Sequence, residues 1–105
     1  MVEVTIEGRG FRVKHFDILV IITQIGTDKW NYDFYRENIN DEGRAQEVCA
    51  PIEISGKPWV QSRYKDSLLT KALMKALYSS KEDAQKLVDE ITTEMYKISE
   101  AYTES

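Results

Sequence analysis

The feature that most constrains this chain is a change of hydrophobic period near residue 60. Before that point apolar side chains recur at every second position, and after it at every third and fourth. Period two marks a half-buried strand and the longer period an amphipathic helix. A chain of 105 residues has room for one modest core, so the two halves are expected to share it. The expectation is a single α+β domain over 1–105, with a sheet part (1–60) and a helical part (61–105). The sheet would be an antiparallel meander of about four strands, with a two-helix C-terminal hairpin packed on one face.

Val2, Val4 and Ile6 alternate with Glu3, Thr5 and Glu7, and Gly8-Arg9-Gly10 supplies a turn. A second strand is expected from Phe11 toward Ile25. Its parity changes midway: Phe11 and Val13 are odd, whereas Phe16, Ile18, Val20 and Ile22 are even. One inserted residue flips the alternation, so a bulge at Lys14–Asp17 would return all six to one face. Leu19 and Ile21 fall on the opposite face, as in a central strand whose second side needs a cover. Gly26-Thr27-Asp28 marks a turn into a third strand, KWNYDFYREN, with Trp30, Tyr32 and Phe34 on one side and Asn31, Asp33, Tyr35 and Glu37 on the other. After a polar loop to Arg44, Val48, Ala50, Ile52 and Ile54 alternate along a fourth strand. Pro51 has no backbone donor to give, which places this strand at an edge or a bulge.

Between Ser62 and Tyr78, Leu68, Leu69, Ala72, Leu73, Ala76 and Leu77 form a broad helical face. Ser79 lies three residues before Glu82, the spacing of a capping box. The next helix carries Ala84, Leu87, Val88, Ile91, Met95, Ile98 and Tyr102 on one stripe, facing a core or a partner helix. Residues 57–81 hold six basic side chains and one acid, net +5; residues 82–105 hold seven acids and two lysines, net −5. Two antiparallel helices with attracting rims account for this at a few tenths of a kcal/mol per exposed pair.

No catalytic or cofactor motif emerges. His15 is the only histidine and has no nucleophile patterned around it. One histidine and one cysteine, Cys49, cannot build a four-ligand zinc site. The loop Asn38–Gly43 spaces oxygen donors like a calcium loop, but the position that needs a bidentate acid is occupied by Cys49. Gly8-Arg9-Gly10 lacks the later glycine and the Lys-Ser/Thr pair of a phosphate loop. No enzyme, metal or cofactor is therefore expected. A lone cysteine suits a reducing, cytoplasmic setting. The start MVEVTIEGRG reads as a strand and not as a secretory signal. FDILVIITQI is too short to cross a bilayer.

What remains is binding. The expected surface is the face opposite the helices, with Leu19, Ile21 and Tyr35 as an apolar centre and Asp33, Glu37, Arg12 and Lys14 as rim, because an apolar patch with a charged rim usually marks an interface. Tyr64, Met74 and Tyr78, lying off the leucine face of the first helix, form a second candidate. The expected function is thus a small non-enzymatic protein-binding domain: an inhibitor, adaptor or subunit that self-associates as a homodimer, and of a size that suits a phage- or mobile-element-encoded modulator. The alternative is a single-stranded nucleic-acid binder that stacks bases on Trp30, Tyr32 and Trp59 and meets phosphates with Arg36, Arg63 and Lys65. The formal charge of −4 counts mildly against it.

Overall fold

The fold was obtained as a computed structural model, which describes residues 2–37, 45–56, 68–77 and 80–104. Strands β1 (Glu3–Glu7), β2 (Gly10–His15), β3 (Ile18–Gly26), β4 (Lys29–Glu37), β5 (Ala45–Glu47) and β6 (Ile52–Ser55) precede helices α1 (Leu68–Leu77) and α2 (Lys81–Glu104). All strand pairs are antiparallel. The order is β1-β2-β3-β4, with β5 and β6 succeeding one another along the outer side of β4. This is the expected α+β meander, but among the described residues it has six strands in place of four.

Both additions have local causes. Where a bulge was expected, the chain turns back on itself: His15 pairs with Ile18 across the two-residue turn Phe16-Asp17. Across such a turn odd positions pair with even ones, so Phe11 meets Ile22 and Val13 meets Val20 on one face. A hairpin and a one-residue bulge thus produce the same parity change, and only the hairpin adds a strand. Phe16 itself leaves the inward set, occupying the turn at φ 54° and standing 77% exposed.

The expected fourth strand is interrupted at Cys49–Pro51. Tyr35 pairs with Glu47 and the Val48 amide still donates to the Phe34 carbonyl at 3.0 Å, whereas β6 resumes with Ile52 opposite Tyr32, two residues out of step. Proline's missing donor falls inside this break.

One sheet face holds the core. Phe11, Val13, Ile18, Val20, Ile22, Trp30, Tyr32, Phe34 and Ile54 pack against Leu69, Ala72 and Leu73 of α1 and Ala84, Leu87, Val88, Ile91 and Met95 of α2. The second helix therefore uses its apolar stripe inside its own chain. Its cap among the described residues is Ser80: the Asp83 amide donates to Ser80 Oγ at 3.2 Å, and the Ala84 amide donates to the Ser80 carbonyl at 3.0 Å; Ser79 lies outside the described residues. The Thr70 hydroxyl donates to Gln85 Oε1 at 3.2 Å, tying α1 to α2.

Tyr32 is 0% exposed, and among the described residues its hydroxyl has no hydrogen-bond partner. A buried polar group without a partner is destabilising by roughly 1–3 kcal/mol. Tyr32→Phe is therefore expected to raise the unfolding free energy by about 1 kcal/mol at neutral pH, read by urea titration. Burial also pushes the phenol well above its usual pKa near 10. The folded state then resists ionisation while the unfolded chain accepts it, so stability falls as pH rises above about 10. The substitution removes that share of the alkaline loss.

Candidate functional site

Among the described residues no helix lies over the second face of the sheet. Because partners in register share a face, the rows across it can be read directly. One row runs Glu3, Lys14, Leu19, Tyr35, Glu47; the next Thr5, Arg12, Ile21, Asp33; the third Glu7, Gly10, Thr23, Asn31, Glu53. Leu19, Ile21 and Tyr35 are thus brought together, as the alternation predicts, with Asp33 and Glu37 on the β4 side and Arg12 and Lys14 on the β2 side.

Their exposures differ. Leu19 is only 8% exposed although it lies outside the core cluster. Its cross-strand neighbours are Lys14 and Tyr35, and the Lys14 ammonium continues over β3 to Glu37 Oε2 at 2.9 Å, with Arg12 Nη2 reaching Glu37 Oε1 at 3.4 Å. Long cationic stems laid along apolar surface shield it while their charged ends stay wet. The accessible part of the apolar centre is therefore Ile21 and Tyr35, both half-buried. Beside them Asn31 donates to Asp33 Oδ2 at 3.0 Å, which fixes that carboxylate on the face. Burial raises the Tyr35 phenol's pKa, and the carboxylates of Asp33 and Glu47 push it further the same way. At neutral pH Tyr35 presents an uncharged aromatic with a hydroxyl donor.

Charge on this face is one-sided. Glu3, Glu7, Asp33, Glu37, Glu47 and Glu53 stand against Arg12, Lys14 and Lys29, and Arg12 and Lys14 are both engaged with Glu37. The glutamates of β1, β5 and β6 are the part of the site that sequence reasoning missed. Alternation puts Glu3 and Glu7 on the polar side of β1, but only the pairing of β1 with β2, and of β5 and β6 with β4, shows that all four glutamates share this face.

The other candidate residues fare differently. Trp30 (3% exposed) and Tyr32 lie in the core, with Trp30 stacked 5.9 Å from Phe11, and leave no ring face open to a base. Arg36 pairs with Asp17 at 3.2 Å beside the β2–β3 turn. Met74 packs against the edge of the core and is no isolated surface residue. Trp59, Arg63, Tyr64, Lys65 and Tyr78 lie outside the described residues. Cys49 is half-buried where β5 ends. Burial raises its thiol pKa; Lys75 opposes the shift and Glu47 adds to it. The result is a protonated, weakly nucleophilic thiol at neutral pH. Among the described residues no group of His, Cys, Asp and Glu side chains is placed to hold a metal ion, and no helix is long and apolar enough to cross a membrane.

No family model, no curated protein and no solved structure matches this chain.

Proposed function

We propose that this protein is a non-enzymatic binding domain that docks a protein partner on the uncovered sheet face, as an inhibitor, adaptor or subunit. The observation that carries this reading is the pairing of an accessible apolar centre, Ile21 and Tyr35, with six carboxylates against three cations around it. Apolar contact gives affinity, and the surrounding field selects and steers the partner. The partner's matching surface is an apolar spot within a basic rim. Stacking two copies of this face sets six carboxylates against six, which favours a foreign partner over a homodimer, and the stripe of α2 is already used in the core. The lone thiol of Cys49 supports a cytoplasmic setting, and the small size suits a phage- or mobile-element-encoded modulator.

The test is capture by tagged protein from a host lysate, with and without nuclease, comparing wild type with Ile21→Ser/Tyr35→Ser. Both positions are half-buried, so a stability change of about 1 kcal/mol each is expected. The double variant should lose the captured protein at least tenfold, and capture should weaken as salt is raised. Capture that ignores the substitutions, or that vanishes with nuclease, overturns the reading.

A further inference from the structure

The outer edge of the sheet at β1 is a second surface, which shares Glu3 and Glu7 with the docking face and adds an open backbone edge. Among the described residues β1 pairs with β2 alone, and every residue of β1 except Val4 is exposed. A strand in that position presents a line of backbone donors and acceptors ready to pair with another chain. The opposite edge is made of three- and four-residue strands broken around Pro51, which blunts it. The β1 edge has five residues and contains no proline.

The core also runs out to this edge without being closed there. Ile6 continues the inward row of Phe11, Ile22 and Tyr32, yet it is 42% exposed while those three are fully buried. An added strand with an apolar residue beside Ile6 would extend that row by one position. Below the edge, a groove of about 340 Å³ between the start of β1 and α2 is lined by Val2, Asp89, Glu90, Thr93 and Glu94. Above it, Glu3 and Glu7 point to the other face, with Thr5 between them. Acids therefore flank the edge on both sides. Of the nearby cations, Lys14 is drawn to Glu37 and Lys97 to Glu94 at 3.0 Å.

We propose that the β1 edge binds an extended basic segment of a partner protein by strand addition, with lysine or arginine alternating with apolar residues. Main-chain hydrogen bonds to β1 hold such a segment, and alternate side chains read the surface. Its apolar residues fall beside Val4 and Ile6, and its cations meet Glu3 and Glu7. A second copy of β1 is the wrong occupant. Antiparallel pairing centred on Thr5 sets Glu3 against Glu7 of the other copy at both ends, and like charges directly opposite are unfavourable. The same two glutamates thus reject self-pairing and select a basic strand.

The probe is a dye-labelled eight-residue peptide alternating lysine and valine, titrated with the intact protein and followed by fluorescence anisotropy. A glutamate–valine peptide is the charge control. Two further lysine–valine peptides are N-methylated on alternate residues, one on the odd set and one on the even. The expected result is binding of the lysine peptide, at least tenfold weaker with the glutamate peptide or with the Glu3→Lys/Glu7→Lys variant. One N-methylated peptide should lose binding and the other keep it, since only one set of amides faces β1. The Ile21→Ser/Tyr35→Ser variant should bind the peptide as wild type does, which separates this edge from the docking face. No binding by wild type, indifference to charge reversal, or equal binding of both N-methylated peptides overturns the proposal; the last would mean attraction by charge alone.

Discussion

Gly10→Ala is expected to abolish the cooperative unfolding transition or to cost about 4 kcal/mol or more, at the extreme of what single substitutions do. Gly10 opens β2 opposite Thr23, and a Cβ built on it falls on the backbone carbonyl of Ile22. That carbonyl belongs to the middle of the sheet and cannot swing aside as a side chain would. The chain must instead separate β2 from β3, and with them the Phe11–Ile22 contact and the Gln24 amide bond to the Arg9 carbonyl at 3.0 Å. Gly8→Ala is the control. Gly8 sits in the β1–β2 turn at φ +57° with open space around it, so alanine there meets only the left-handed backbone penalty, about 1–2 kcal/mol. Thermal or urea unfolding of the two variants should differ by several kcal/mol. Equal losses would mean that the close approach of β2 and β3 is not as described.

Phe34→Ala is expected to lower stability by about 3–5 kcal/mol, as for other aromatic truncations in a packed core. Phe34 is fully buried, pairs with Val20 and stacks 6.5 Å from Tyr32. Its neighbour Tyr35 points to the other face, where Tyr35→Ala should cost only about 1 kcal/mol and act chiefly on partner capture. Two adjacent aromatics thus give opposite results, one in a denaturation curve and the other in a binding assay. Similar stability losses at both positions would contradict the alternation on which the site rests.

The alternation was legible in the sequence because it is a local property. Trp30, Tyr32 and Phe34 could be assigned to one side of β4, and Leu19, Ile21 and Tyr35 to the uncovered side, from side-chain period alone. The stripe of α2 was equally legible, and five of its residues from Ala84 to Met95 are buried. What the sequence hid was pairing. Phe16 looked inward because a hairpin and a bulge leave the same trace in the parity, and a phenylalanine at positive φ is an uncommon turn residue. Glu47 and Glu53 could not be assigned to the site until β5 and β6 were set against β4 in register. Leu19 was legible as outward but not as shielded, since the cover comes from Lys14 reaching across to Glu37.

The break between β5 and β6 constrains how the length of this chain could vary. The slip there is by two residues, so Glu47 and Glu53 stay on one side of the sheet while Ile52 and Ile54 stay on the other. Loss or gain of a residue pair between Val48 and Pro51 would keep that sidedness. Loss or gain of a single residue would turn the last strand inside out, exposing Ile54 and burying Glu53. Length changes in this segment are therefore tolerable only in even steps, which makes it a place where related chains could differ in length without exchanging the dry side of the sheet for the wet one.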